Sequence, residues 1–171
     1  MKIFLVGLPG SGKTAVGKKI ASSLGVLFID LDSEIEKVEG MTIPAIFETK
    51  KEDHFRKIES YQLKRWCLAD NNFVMATGGG TPCFFDNMET INQAGTSIFL
   101  DIPTQEIAQR LMKTDLSQRP FFAKLNQESL KDHIEFMRSQ RIHFYRQAHW
   151  TSRGEVDIKD IIDYIKKENL L

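Results

Sequence analysis

Four short runs, Ile3-Phe4-Leu5-Val6, Val26-Leu27-Phe28-Ile29, Phe73-Val74-Met75-Ala76 and Ser97-Ile98-Phe99-Leu100, are almost continuously apolar rather than alternating. That is the pattern of parallel strands covered on both faces. Between them the apolar positions switch to helical spacing. Val16, Ile20 and Leu24 mark one helix, Ile35 and Val38 a second that ends at Gly40 and is capped by Asp32 or Ser33, and Pro44 to Phe47 a short third behind a Thr42 cap. Residues 53–69 carry Phe55, Ile58, Tyr61, Leu63, Trp66 and Leu68 against one strongly charged side. Thr104 caps a helix through Ile107, Ala108, Leu111 and Met112, another runs from Glu128 to Tyr145, and His149 to Ser152 reads as a fifth strand. Ile158, Ile161, Ile162 and Ile165 fit a closing helix. Strands alternating with helices predict an α/β fold: a central five-stranded parallel sheet flanked by helices. Residues 113–126 are polar and aperiodic, as a mobile lid over an active site would be.

Composition narrows the partners. A chain of 171 residues suits one domain, and 23 basic against 23 acidic side chains argue against neutralising a nucleic-acid backbone. Cys67 and Cys83 have neither a disulfide framework nor zinc spacing, so they read as reduced bystanders. No signal peptide is evident, and no apolar run nears the ~20 residues of a spanning helix. The expectation is a cytoplasmic monomer with no nucleic-acid or membrane partner.

The chemistry begins at Gly7-Leu8-Pro9-Gly10-Ser11-Gly12-Lys13-Thr14, set between the first strand and the first helix. In that context G-x-x-x-x-G-K-[ST] is a P-loop. Backbone N–H groups and the helix N-terminus cradle the phosphates, Lys13 reaches the β/γ-phosphates, and Thr14 offers its hydroxyl to Mg²⁺. Asp30 and Asp32 arrive at the carboxyl end of the second strand, one for the metal and one for an acceptor hydroxyl. Thr77-Gly78-Gly79-Gly80 ends the third strand, where a ligand could approach the backbone closely. Arg56, Arg119 and Arg146 lie on separate segments and suit forked recognition of carboxylate or phosphate.

This series of motifs, the P-loop, Phe28-Ile29-Asp30-Leu31-Asp32 with Ile35-Glu36, Phe55-Arg56-Lys57-Ile58-Glu59, Thr77-Gly78-Gly79-Gly80, Arg119-Pro120 and Tyr145-Arg146, resembles that of shikimate kinases in order and spacing. The resemblance implies transfer of the γ-phosphate of ATP to the 3-hydroxyl of shikimate, with one Mg²⁺ per ATP, in the pathway to chorismate and the aromatic amino acids. It implies a P-loop kinase domain spanning 1–171, with its core in 1–31 and 73–110, acceptor-binding helices in 32–70 and a lid at 113–126. It also implies roles. Gly10, Ser11, Gly12, Lys13, Thr14 and Ala15 would hold ATP, with Arg110 against adenine and the lid's Arg119 on the phosphates. Asp32 would accept the proton of the 3-hydroxyl, Asp30 would support Mg²⁺ through water, and Arg56 (oriented by Glu59), Gly78, Gly79, Gly80 and Arg146 would hold shikimate.

Pro9 and Ser11 stand where the family often has Met and Ala, Phe121-Phe122 replaces the usual leucines, and Thr151-Ser152-Arg153-Gly154 lacks a proline common in the adenine loop. Two other readings compete. A gluconate kinase would share the P-loop but not the Phe-Arg-x-x-Glu and triple-glycine pair. A GTP-dependent switch would need an Asn-Lys-x-Asp segment, and Met112-Lys113-Thr114-Asp115 has the wrong first residue at a helix end.

Overall fold

The computed structural model describes residues 1–113, 127–154 and 156–167, with Gln127 by its backbone alone. Five strands form one parallel sheet: β1 (Lys2–Val6), β2 (Leu27–Asp30), β3 (Phe73–Ala76), β4 (Thr96–Asp101) and β5 (Trp150–Arg153), in the order β2-β3-β1-β4-β5. The helices are α1 (Lys13–Leu24), α2 (Leu31–Glu39), α3 (Ile43–Thr49), α4 (Lys51–Leu68), α5 (Asn87–Ala94), α6 (Thr104–Met112), α7 (Gln127–Tyr145) and α8 (Ile158–Lys167).

The apolar runs are explained by the two faces of the sheet. On β1, Ile3 and Leu5 point into a core shared with Ile20, Ala21, Val74, Ile98, Ile161 and Ile165, the side covered by α1 and α8. Phe4 and Val6 point into a larger core with Leu31, Ile35, Phe55, Leu63, Phe73, Phe99 and Tyr145. Alternate residues therefore enter different cores, and no polar position is left for solvent. The second run differs: β2 is an edge strand, and Leu27 stays 51% exposed.

From β1 the chain turns first to β2 and β3 on one side, then to β4 and β5 on the other. Such a reversal opens a crevice at the carboxyl ends of the strands. The glycine loop leaves β1 there, Asp30 ends β2, and Gly78 to Gly80 follow β3.

Several local expectations are corrected. Asp30, rather than Asp32 or Ser33, caps α2, its side chain accepting from the Ser33 N–H at 3.4 Å. Thr104 is the first helical residue of α6 and donates its hydroxyl to Glu135 of α7, while Pro103 takes the cap position. Helix α5 carries apolar residues only at Met88 and Ile91 before Ala94, too few to mark it by periodicity. Thr42 does cap α3, accepting from the Ala45 N–H. The expected lid at 113–126, apart from Lys113, lies outside the described residues, and Arg119 with it.

Candidate active site

Gly12 takes a left-handed φ of 92° at the head of α1, a conformation that a side chain would resist, and so allows the loop to turn directly into the helix. Lys13 is buried, and its ammonium donates to the carbonyls of Gly7 and Leu8 at 2.8 and 2.9 Å, lying back across the loop. Thr14 and Ala15 are exposed in the first turn of α1. Arg110 reaches over from α6, donating to the Ser11 carbonyl at 3.4 Å and pairing with Glu106. It therefore faces the phosphate end of the loop.

The Thr14 hydroxyl donates to Asp30 Oδ2 at 2.9 Å, bringing two oxygen donors from α1 and β2 together. Hard cations such as Mg²⁺ prefer all-oxygen sets and usually take only one or two protein carboxylates, keeping waters and phosphates as further ligands. Among the described residues no group of three or more His, Cys, Asp or Glu converges on a metal position. The donor set fits an ion that arrives with its nucleotide.

Asp32 sits in the first turn of α2, and its carboxyl is raised from 3.8 to about 6. Burial is the main cause. The negative charges of Glu59, Asp30 and Glu36 add to it, and Lys13 partly opposes them. A carboxylate with a proton affinity near neutrality at the edge of a phosphate loop is suited to proton transfer.

Glu59 is fully buried on α4 and organises the acceptor side. It accepts from Arg56 Nη1 at 2.8 Å and from the Thr81 hydroxyl at 2.6 Å. A second edge of the Arg56 guanidinium donates to Glu52 Oε1 at 3.1 Å. The glycine triplet is packed against these groups. A Cβ on Gly78 would lie 2.9 Å from Glu59 Oε1 and 3.0 Å from Asp32 Oδ1; one on Gly79 would lie 2.5 Å from the Pro9 ring; and one on Gly80 would lie 2.7 Å from Arg56 Nη1. Protein atoms thus already occupy each Cβ position, so packing within the protein is itself a reason for the glycines.

At the end of α7 a second arginine competes with Arg146. Tyr145, fully buried in its side-chain packing, donates to the Gly79 carbonyl, and its hydroxyl is held well above its ordinary range by burial. The neighbouring cation is Arg141. It lies close enough for its charge to act with that of Arg56 on both Tyr145 and the Cys83 thiol. Arg146 is exposed beyond the end of α7, and its charge is not among those acting on either group. Helical spacing could have pointed to this: Arg141 lies four residues before a buried tyrosine and shares its face, whereas Arg146 is rotated off it. The Cys67 and Cys83 thiols are both pushed up to about 11 by burial, so they stay protonated at neutral pH.

Comparison with known proteins follows the same lines. The family model described as shikimate kinase matches residues 9–168. A shikimate kinase of Bacteroides fragilis is 39% identical over 150 residues, covering 88% of this chain and 83% of its own. The crystal structure of the shikimate kinase from Bacteroides thetaiotaomicron superposes with a TM-score of 0.90 at 34% identity, covering 100% of this chain and 99% of that one. The shikimate kinase of Acinetobacter baumannii, solved in complex with shikimate, gives 0.88 at 32%, covering 99% and 95%. Among the described residues no helix is long and apolar enough to cross a membrane.

Proposed function

From the premise that the chain belongs to the shikimate kinase family, a family of ATP-dependent kinases, we propose how its own residues transfer the γ-phosphate of ATP to the 3-hydroxyl of shikimate. The observation that carries the reading is the convergence of a raised carboxyl, Asp32, and a buried Glu59–Arg56 pair at the glycines after β3, across the crevice from the phosphate loop.

The loop amides of Gly10 to Ala15 cradle the triphosphate, and Lys13 leaves the Gly7 and Leu8 carbonyls to meet it. Thr14 and, through water, Asp30 would hold the one Mg²⁺ per ATP, and the ion would supply charge neutralisation to the phosphates. Arg110 supplies positive charge from the side of α6; Arg119, which the family resemblance assigns to the ATP phosphates, lies outside the described residues. Arg56 and Arg141 grip the acceptor carboxylate; this assignment replaces Arg146. The 3-hydroxyl gives its proton to the Asp32 carboxylate as its oxygen bonds to Pγ. The bond from Pγ to the bridging oxygen breaks, and ADP leaves with that electron pair. The enzyme works as a cytoplasmic monomer.

A coupled assay for ADP release with ATP and Mg²⁺ tests the reading, run with shikimate, gluconate, a nucleoside monophosphate or no acceptor. Release is expected with shikimate alone. Equal turnover without shikimate refutes it, and turnover with gluconate alone assigns the rival activity.

A further inference from the structure

We propose that Phe84 is a positioning residue for Arg56, placed by a strained turn whose product is the aromatic ring on the face of the guanidinium. The proposal rests on the reading above in which Arg56 grips the acceptor.

Carboxylates hold Arg56 only by its edges. Glu59, with its side chain 1% exposed, is a firm partner, but Glu52 is 55% exposed, and an ion pair in contact with solvent restrains little. Hydrogen bonds along the edges of a planar group limit sliding in the plane better than tilting out of it. The tilt is met by Phe84, whose ring centre lies 4.2 Å from Arg56 Cζ, closer than that of Phe55 at 5.0 Å. At that distance the negative face of the ring attracts the cation as well as blocking its motion.

The backbone around Phe84 is unusual for its sequence. A 3₁₀ turn over Thr81–Cys83 runs into Phe84 in extended conformation, and the Asn87 N–H then bonds to the Phe84 carbonyl at 2.9 Å. Between them Phe85 and Asp86 both take left-handed φ, 49° and 55°, the pattern of a type I′ turn that normally calls for Asn or Gly. Phe85 gains little in return, since it is 51% exposed. The turn is pinned from behind, with Asn87 Nδ2 donating to the Thr81 carbonyl at 2.9 Å and the Ser60 hydroxyl donating to Asn87 Oδ1 at 2.8 Å. Strain that persists because its surroundings over-determine it is characteristic of functional sites. What this turn delivers is Phe84, on the wall of an open cavity of about 260 Å³ that it shares with Arg56, Glu52 and Lys57.

Two measurements test the role. In the first, initial rates with shikimate and ATP varied separately are compared for wild type, Phe84→Leu, Phe84→Ala and Phe84→Tyr, and for Phe84→Leu in an Arg56→Lys background, with melting curves to confirm folding. Loss of the stack is expected to raise KM for shikimate roughly three- to thirtyfold in the Leu and Ala variants. KM for ATP and kcat stay within about twofold, Tyr restores the wild-type value, and the Leu effect shrinks in the Lys background, where no planar fork remains. An unchanged KM for shikimate, equal rises in both KM values, or full additivity with Arg56→Lys overturns the proposal. The second needs no turnover: the ¹⁵N–¹H signal of Arg56 Nε, assigned by its loss in Arg56→Lys, is followed in wild type and Phe84→Leu. A changed ring-current shift and hydrogen exchange faster by about three- to tenfold are expected. An unmoved signal refutes the stack even if the acceptor proves not to be shikimate, and a moved signal upholds it in that case.

Discussion

Replacing Asp32 by Asn should disable the enzyme and stabilise the protein at the same time, and the stabilisation should depend on pH in a defined direction. The folded carboxyl titrates at about 6, against 3.8 when unperturbed. A folded group that holds its proton more tightly than the unfolded chain costs stability once it ionises, so the cost is absent below about pH 4, grows between 4 and 6, and is constant above. At 1.36 kcal/mol per pH unit, the gap makes ionised Asp32 about 3 kcal/mol less favourable in the folded protein than in the unfolded chain. That figure is an upper bound, because the side chain keeps some solvent contact and screening reduces it. Asparagine has the same shape and never ionises. Ligand-free Asp32→Asn should therefore melt up to roughly 6–12 °C above wild type at pH 7.5, with the difference nearly gone at pH 4. The assay is calorimetry or far-UV circular dichroism at four or five pH values, paired with kcat at pH 7.5, which should fall at least a hundredfold, on the order of what proton transfer contributes. Equal melting temperatures at pH 7.5, or an offset that persists unchanged at pH 4, would refute the electrostatic account. Full kcat would remove Asp32 from the chemistry.

Three further outcomes are expected. Arg141→Ala should raise KM for shikimate by roughly 10–100-fold, the loss of one charged hydrogen-bond pair, while Arg146→Ala changes it less than about twofold; the reverse order in steady-state kinetics would restore Arg146 to the site. Gly80→Ala places a methyl 2.7–2.9 Å from Arg56 Nη1, Nη2 and Cζ, and should displace the guanidinium, raising KM for shikimate by at least roughly tenfold with KM for ATP little changed. Lys51 carries a left-handed φ of 69° at the entry to α4, so Lys51→Gly should stabilise the protein by about 1 kcal/mol, or roughly 2–4 °C in melting temperature; a lower melting temperature would show that the lost Lys51 contact to the Glu48 carbonyl, at 3.0 Å, outweighs the relief of strain.

The sheet was legible because its strands are covered on both faces: continuous apolar runs distinguish themselves from the 3.6-residue spacing of the helices without any knowledge of their order. The order β2-β3-β1-β4-β5 is a matter of which runs meet, which no local pattern encodes. Helix α5 was missed because it is short and packs through few apolar residues, and because a strained turn of Phe85 and Asp86, neither a usual turn residue, introduces it. The cap of α2 is ambiguous in sequence for a different reason. Asp30, Asp32 and Ser33 are all acceptable caps, and the choice falls to Asp30 because β2 passes into the helix without an intervening loop.

At the site, sequence reasoning did best where one motif prescribes one geometry and worst where the partner is distant in the chain. The phosphate loop needs only its own glycines, its lysine and the helix that follows, all within a few residues. The triple glycine looks from sequence like space reserved for a ligand, yet each missing side chain is accounted for by a distant protein group: Glu59 and Asp32 at Gly78, Pro9 at Gly79, Arg56 at Gly80. The same close packing sets Glu59 and Asp32 on either side of Gly78, and the charge of Glu59 adds to burial in raising the proton affinity of Asp32, so the glycine serves the base indirectly. The choice between the two arginines has a similar origin. Arg146 is next to Tyr145 in sequence, but Arg141 is its neighbour on the helix, and the burial of that tyrosine against Gly79 marks the face on which Arg141 and Arg56 both act. A helical arginine is therefore best assigned by the buried residue three or four places away on its own face, not by the residue beside it.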